Sequence, residues 1–425
     1  MPRFKPVSIK ELLRIGEVDE DELAAALLSI FPRSAHLGGN EVEYRDADDE
    51  WVLSLHYRDG ALVDATTGPF FTSATEAQLR QTLADAFDGT SRKVWRAAMF
   101  SLRRVEGWYR HGEDYMIRPA PQEAPRPDVE YAQHPWLLEF PYTESPIDGV
   151  WRLRVHRRVY VLSLLLNLLL NGRIGMPSNR SRNHWIVTRD ADGGAGMGAS
   201  QWLQEGYFIP GFTPFADDFS EVGEWSPLAQ ELTEDYYGRA SPFFEPLTVP
   251  AAFDDLNAAF DILSGPLRSR FLRSCYWLHI FNIVWDYSHS LRLIALINGV
   301  ECLAQSGEKR TETDASTKMF IDFVQEYAPG RPSRTRIDRI YDVRSLITHG
   351  ERLLGYDNPR SSALHPTMTA DDESSAEARL LARGAIINWL IRQTGSTANL
   401  LTVDPYPRRP PSKPGTKSSV KIITP

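Results

Sequence analysis

The sequence predicts an α+β region over the first 250 residues, followed by an all-α helical bundle. Two observations carry this prediction. In the N-terminal region, an alternating segment that starts at Glu50 is interrupted by Arg58-Asp-Gly60, and an Asp-Gly pair between alternating segments is typical of a β-hairpin. From about Val249 onward, apolar residues recur at helical spacing, and Gly or Pro separates the segments. A chain of 425 residues is also too long for one core, so several domains are expected.

The α+β region is predicted to have two parts, residues 1–118 and residues 119–250. Within the first part, helical spacing predicts three helices, over residues 9–31, Glu76–Phe87 and Ser91–Tyr109.

The second part begins with seven prolines between residues 119 and 147, which we expect to break any regular element. Trp151–Leu170 is predicted to start as a strand and to end as a buried helix. The Gly-rich residues 190–199 are predicted to be an exposed loop. A phosphate-binding loop is the alternative, but the short aromatic segment that follows does not continue as a helix.

Residues 251–395 are predicted to form the helical bundle. Its predicted helices are Ala251–Leu263, Leu267–Ser288, Leu291–Gln305, Thr313–Tyr327, Thr335–Thr348 and Glu373–Gln393. Residues 396–425 are predicted to be a disordered, basic, Pro-rich tail. Its final 21 residues hold six prolines, five Lys or Arg and no acid, a composition that predicts a disordered basic tail.

Composition excludes several classes of protein. The net charge of −9 argues against a surface covered in basic residues. Two cysteines exclude a disulfide scaffold, and neither has a Cys or His at metal-ligand spacing, so we expect no metal and no cofactor. The longest apolar run, Val159–Leu170, has 12 residues, whereas a membrane span needs about 20. With a polar N-terminus that has no secretory signal, we expect a cytoplasmic protein without a membrane partner.

One short segment, Asp338–Gly350, holds an Arg and a His separated by four residues, Arg344 and His349. The spacing alone is weak evidence, because Arg360 and His365 show it too. The context differs, since Arg360 stands between a proline and two serines, as in a loop.

On a helix, Arg344 falls inside an apolar arc of roughly 120°. The arc is formed by Ile337, Ile340, Tyr341, Ile347 and Thr348. A guanidinium in such a position is costly unless it is paired or meets a partner surface. His349 lies about 140° further round, so the two side chains converge only in one of two ways. Either Gly350 ends the helix and swings the imidazole round, or two copies of the segment meet across a two-fold axis.

An imidazole beside a guanidinium suits RNA cleavage. The imidazole moves protons to or from the 2′-hydroxyl and the leaving oxygen, and the guanidinium neutralises the charge that grows on the phosphate.

The segment Ile340-Tyr-Asp-Val-Arg-Ser-Leu-Ile-Thr-His-Gly350 resembles the Arg-(four to six)-His signature of HEPN domains, in the form typical of the ApeA-like branch of bacterial anti-phage proteins. Upstream, Trp285–Leu303 resembles the helix that precedes the motif in that branch, with Glu301 at its recurrent acidic position. The resemblance covers about residues 253–395. It implies a HEPN helical bundle and a metal-independent endoribonuclease with a composite site in a homodimer, acting on RNA in phage defence or as a toxin-like effector. The N-terminal region would then sense a trigger, such as a phage product.

Residue by residue, the resemblance implies that Arg344 and His349 are catalytic and that Ser345 is the polar residue after the Arg. Glu301 is expected to anchor Arg344, and Asp342, seven residues before His349, to orient the imidazole. The arginines ahead of the motif are expected to bind the RNA backbone. They are Arg331, Arg334, Arg336 and Arg339.

Simpler interpretations stay open. Arg344 and His349 can be a helix-internal ion pair and a C-terminal His favoured by the helix dipole. Glu301 and Asp342 can be ordinary surface acids, and the arginines a solvated face. The chain as a whole can also be a non-catalytic HEPN scaffold that binds RNA or a protein.

Overall fold

The computed structural model describes residues 19–404, apart from residues 32, 37–39, 60, 88–90, 128–133, 171–173, 176–183, 190–199, 206, 208, 239–244, 285–286, 305–313 and 358–365. The predicted Gly-rich loop and residues 405–425 of the predicted tail lie outside the described residues. The chain divides into two compact units. The first holds residues 1–166, 174–228 and 243–247, and the second holds residues 167–173, 229–242 and 248–425.

The first unit begins with a small antiparallel sheet and two helices. Its elements are α1 (Glu20–Ile30), β1 (Arg33–His36), β2 (Glu41–Arg45), β3 (Trp51–Arg58), β4 (Ala61–Thr67) and α2 (Ser73–Phe87). The strands pair in chain order, and β3 and β4 form the predicted hairpin, with Asp59 at a positive φ of 53° in the turn. The core between sheet and helices contains Leu27, Leu53 and Leu83. The helix predicted over Glu76–Phe87 is therefore confirmed.

A second antiparallel sheet follows in the same unit. Its strands are β5 (Arg92–Ser101), β6 (Tyr109–His111), β7 (Tyr115–Pro119), β9 (His134–Thr143), β10 (Ile174–Gly175) and β13 (Phe215–Ala216). The main order is β10-β5-β9-β7-β6, and β13 pairs with β5. A smaller sheet joins β8 (Arg126–Pro127), β11 (His184–Arg189) and β12 (Ser200–Glu205). Since β7 and β9 pair, the boundary that the prolines suggest at residue 118 divides residues that share one sheet.

Two predictions for this part were wrong. The helix predicted over Ser91–Tyr109 is strand β5, which pairs along its whole length with β9, some 40 residues further along the chain. The Pro-rich segment also contains a regular element, because β9 is a ten-residue strand that contains Pro135 and Pro141. Neither proline lies within residues 136–139, the part of β9 that pairs with β7. The missing N–H groups therefore remove no hydrogen bond between β9 and β7.

Helix α3 (Asp148–Leu169) corrects a third prediction, because the start of Trp151–Leu170 is helical and not a strand. Its apolar residues recur every three or four positions, as at Val155, Val159 and Leu162, and these side chains are buried. The tertiary core selects the helix over the local alternation.

The second unit is mostly helical. Its elements are β14 (Gln230–Glu231), α4 (Thr233–Gly238), β15 (Val249–Pro250), α5 (Phe253–Asp261), α6 (Gly265–Ile283), α7 (His289–Ala304), α8 (Asp314–Tyr327), α9 (Arg334–Thr348), a 3₁₀ turn (Gly355–Asp357) and α10 (Pro366–Arg392). Each of the six predicted helices is present, with ends that differ by a few residues and an earlier start for α10. Helices α6 and α7 are joined by a hydrogen bond in which the Ser274 hydroxyl donates to the Gly299 carbonyl at 2.6 Å.

A segment that we call the C-terminal strap, residues 396–404, lies against α8 and α10. The prediction of a disordered tail from residue 396 was therefore wrong for these nine residues. The Asn388 amide of α10 donates to the Leu401 carbonyl at 2.9 Å, and the Leu401 N–H donates back to the Asn388 side-chain oxygen at 2.7 Å. The Gly330 N–H, beyond the end of α8, donates to the Thr402 carbonyl at 3.0 Å. Asp404 of the strap is thereby held near the start of α9.

Across the described ranges, none of the helices combines the length and the apolar character needed to span a bilayer.

Candidate active site

Helix α9 carries the predicted motif, and the sequence marks both of its ends. Ser333 is the N-cap in an extended conformation, and the N–H of Arg336 donates to its carbonyl at 2.9 Å. At the other end, the Glu351 N–H reaches the Leu346 carbonyl at 2.9 Å while Gly350 adopts a φ of +77°. This pattern is a Schellman motif, which requires a left-handed residue and so favours glycine.

Arg344 lies on the inner face of α9, as the apolar arc predicts. Ile337, Ile340, Tyr341 and Ile347 of the arc are buried, whereas Thr348 is exposed and its hydroxyl donates to the Arg344 carbonyl at 2.9 Å. The Arg344 side chain keeps 25% of its surface exposed. The guanidinium is therefore half-buried and still open to solvent on one side.

Glu301, at the end of α7, is the partner of Arg344 that the sequence predicts. An Arg344 Nη2–H donates to Glu301 Oε2 at 3.4 Å, and the guanidinium carbon lies 5.5 Å from the centre of the Tyr341 ring. Nε of Arg344 is buried and has no hydrogen-bond partner among the described residues. One long hydrogen bond leaves most of the five N–H donors of this arginine available for a ligand.

Tyr341 contributes a polar group that the sequence assigned to the core only. Its hydroxyl donates to Glu301 Oε1 at 3.1 Å. One carboxylate oxygen of Glu301 therefore accepts from Tyr341 and the other accepts from Arg344. Burial, together with the negative charge of Glu301, raises the pKa of Tyr341, which keeps the phenol protonated as a donor. The signal that could have revealed this role is the tyrosine itself, since a buried hydroxyl needs a partner.

His349 is the C-cap of α9, with φ −85° and ψ 0°, and its side chain is exposed. The direction of a Cα–Cβ bond depends on the backbone up to the residue's own φ, which here is close to helical. The turn at Gly350 comes after that point, so it does not swing the imidazole toward Arg344. Two ways were predicted for the Arg344 and His349 side chains to meet. This backbone is compatible with the second, in which two copies of the segment face each other.

Asp342 and Ser345 are in place on α9, but neither contacts His349 through its side chain. Asp342 is exposed and makes no side-chain hydrogen bond within the described part of the chain. Ser345 is half-buried, and its carbonyl accepts the His349 N–H at 3.0 Å as part of the helix end. The expectation that Asp342 orients the imidazole finds no support in a single chain.

The four arginines ahead of the motif do not form one surface. Arg331, Arg334 and Arg339 are exposed, and Arg334 makes a loose ion pair with Asp338 at 3.8 Å. Arg336 corrects the prediction, because its side chain is buried between two carboxylates. It bonds Glu377 of α10 and, at 2.7 Å, Asp404 of the C-terminal strap. Arg336 stabilises the helical unit and is not available to RNA.

In the described residues, no three His, Cys, Asp or Glu side chains are placed to hold a metal ion. Near the end of α9 lie an exposed imidazole, a half-buried guanidinium, and the carboxylate and phenol that contact the guanidinium.

No protein-family model, no curated protein and no solved structure matches this chain.

Proposed function

We propose that this protein is a HEPN-type endoribonuclease that cleaves RNA without a metal ion. The 2′-hydroxyl attacks the adjacent phosphorus, the 5′-oxygen leaves, and a 2′,3′-cyclic phosphate forms. His349 moves the proton between these two oxygens and the solvent, while Arg344 donates hydrogen bonds to the phosphate oxygens as their negative charge increases.

The state of Arg344 is the observation that carries this proposal. A purely structural arginine in an apolar arc is expected to be fully paired, as Arg336 is with its two carboxylates. Arg344 instead makes a single bond at 3.4 Å and stays one quarter exposed. A guanidinium that is bonded to one carboxylate and still has free N–H donors can bind a phosphate through two parallel hydrogen bonds.

A homodimer completes the proposed site. Because Arg344 and His349 point about 140° apart on α9, the His349 of one copy would meet the Arg344 of another. Exposed apolar side chains flank the end of the helix, with Leu346 at 36% and Leu353 at 48% exposed. Such side chains favour an interface near His349.

In the cell, we propose a cytoplasmic role in anti-phage defence or abortive infection. The N-terminal α+β region would respond to a phage-derived trigger and release the ribonuclease. The second candidate, a non-catalytic HEPN scaffold that binds RNA or a protein, is favoured by the missing contact between Asp342 and His349, since nothing in one chain orients the imidazole.

Cleavage in excess EDTA separates the two candidates. Purified wild-type protein is expected to leave 2′,3′-cyclic phosphate ends on RNA, and His349→Ala and Arg344→Lys are expected to abolish most of this activity while both variants stay folded. Lysine keeps the charge but loses the planar fork. Arg360→Ala, from the second Arg-His pair of the same spacing, is the matched control and should cleave normally. Equal toxicity or protection by wild type and His349→Ala in cells would refute the ribonuclease.

A mixing experiment tests the shared site. A dimer with one Arg344→Lys chain and one His349→Ala chain still contains one intact Arg344 and one intact His349, on different chains. We expect the purified mixed dimers to have about half of the wild-type activity, because one of their two Arg–His pairs is intact if each pair acts across the two-fold axis. No regained activity from verified mixed dimers would contradict a site shared in this way.

A further inference from the structure

Three side chains from two helices form a continuous hydrogen-bonded chain that ends at Arg344. The Tyr341 hydroxyl of α9 donates to Glu301 Oε1 of α7 at 3.1 Å, and Glu301 Oε2 accepts from Arg344 at 3.4 Å. The Tyr341 ring also packs on Phe320 of α8, with ring centres 5.1 Å apart. Tyr341 is thus fixed at both its ring and its hydroxyl.

This chain decides how Glu301 is oriented. A carboxylate bonded only to Arg344 through one long contact can rotate about its terminal torsion, which has broad minima. The Tyr341 hydroxyl occupies the other oxygen and removes that freedom. The plane of the carboxylate then sets the direction from which the guanidinium of Arg344 is held.

We propose that Tyr341 is a positioning residue, which fixes Glu301 and through it directs the free N–H donors of Arg344 toward the phosphate. Tyr341 itself does not touch RNA in this scheme. The proposal rests on the proposed ribonuclease function for its catalytic consequence, although the ordering of Arg344 does not depend on it.

Tyr341→Phe tests the proposal with little change in packing, because the ring contacts to Phe320 and Arg344 remain and only the hydroxyl is lost. We expect kcat for RNA cleavage to fall about ten-fold, as befits one lost hydrogen bond to a charged group, with KM unchanged. Tyr327→Phe, on α8 beside Arg392, is the matched control and should keep wild-type kcat.

A second measurement does not require activity. In protein labelled with ¹⁵N-arginine, the Arg344 signals are assigned by their loss in Arg344→Lys, and exchange between its two Nη groups reports rotation of the guanidinium. Exchange should be slow in wild type and faster in both Tyr341→Phe and Glu301→Gln, but unchanged in Tyr327→Phe.

The two measurements separate the inference from the proposed function. If wild type leaves RNA intact but Tyr341→Phe frees the Arg344 guanidinium, the positioning role of Tyr341 stands independently of RNA cleavage. If Tyr341→Phe leaves the exchange rate at the wild-type value, Tyr341 does not position Arg344, whether or not the protein cleaves RNA. A loss of kcat that is matched in full by a loss of folded protein would likewise assign Tyr341 to stability alone.

Discussion

Replacing Arg336 with Ala should destabilise the helical unit strongly, although the residue belongs to an arginine-rich segment that resembles a binding surface. The Arg336 side chain is 7% exposed, and its carboxylate partners Glu377 and Asp404 are 19% and 32% exposed. Removing one partner of a buried ion pair costs about 3–5 kcal/mol. Because both carboxylates keep some contact with water, we expect the lower end of that range, about 3 kcal/mol.

Hydrogen–deuterium exchange in increasing urea is the suitable assay, since a chain of two units need not unfold in one step. Peptides from α9 and α10 should open with a free energy about 3 kcal/mol lower in Arg336→Ala, which is more than a hundred-fold in the opening equilibrium. Arg339→Ala, three residues further along α9, is the control. Arg339 is exposed and pairs with no carboxylate in the described ranges, so its loss should change stability by less than about 0.5 kcal/mol.

RNA binding should show the opposite pattern for these two arginines. Arg339→Ala is expected to weaken binding and to reduce its salt dependence by about one unit of slope, whereas Arg336→Met should leave the slope unchanged. Equal stability of Arg336→Ala and Arg339→Ala, or a lower salt slope for Arg336→Met, would refute the assignment of Arg336 to the interior.

Three further predictions concern a glycine that follows α8, a carboxylate at the start of α7, and the C-terminal tail. Gly330→Ala should cost more stability than Gly350→Ala, although both glycines have a positive φ. A Cβ at Gly330 would lie 2.6 Å from Cβ of Asp404, whereas the space at Gly350 is open. Equal urea midpoints for the two variants would contradict this prediction. Partial burial raises the pKa of Asp357, but hydrogen bonds from residues at the start of α7 outweigh this effect, so the pKa is lowered. The contribution of Asp357 to folding stability is complete above its unfolded pKa of about 4 and is lost as the pH falls through the lower folded value. Asp357→Asn should therefore flatten the acid branch of a stability–pH curve. Deleting residues 405–425 should weaken RNA binding at low salt and leave the cleavage step unchanged; undiminished binding would dismiss the tail as an RNA tether.

Local patterns were sufficient for much of the helical unit. Apolar spacing predicted α9 within one residue at its start, and the placement of Arg344 on its inner face followed from the same 100° geometry. The Asp-Gly turn predicted the hairpin of β3 and β4, and Gly350 marked the end of α9. These features are encoded within a few consecutive residues, so they can be deduced from the sequence.

Tertiary structure decided what depends on distant residues. The segment from Arg92 becomes a strand because β9 supplies its ladder, and no local period revealed that partner. Arg336 and Arg339 look equivalent in the sequence, yet one is buried because Asp404, 68 residues away, returns to the start of α9. In the same way, the Tyr341 hydroxyl finds Glu301 at a separation of 40 residues. Helical periodicity predicts the direction of a side chain from neighbouring residues. The charged or hydroxyl group that this side chain contacts comes from a distant part of the sequence, so only the tertiary structure determines it.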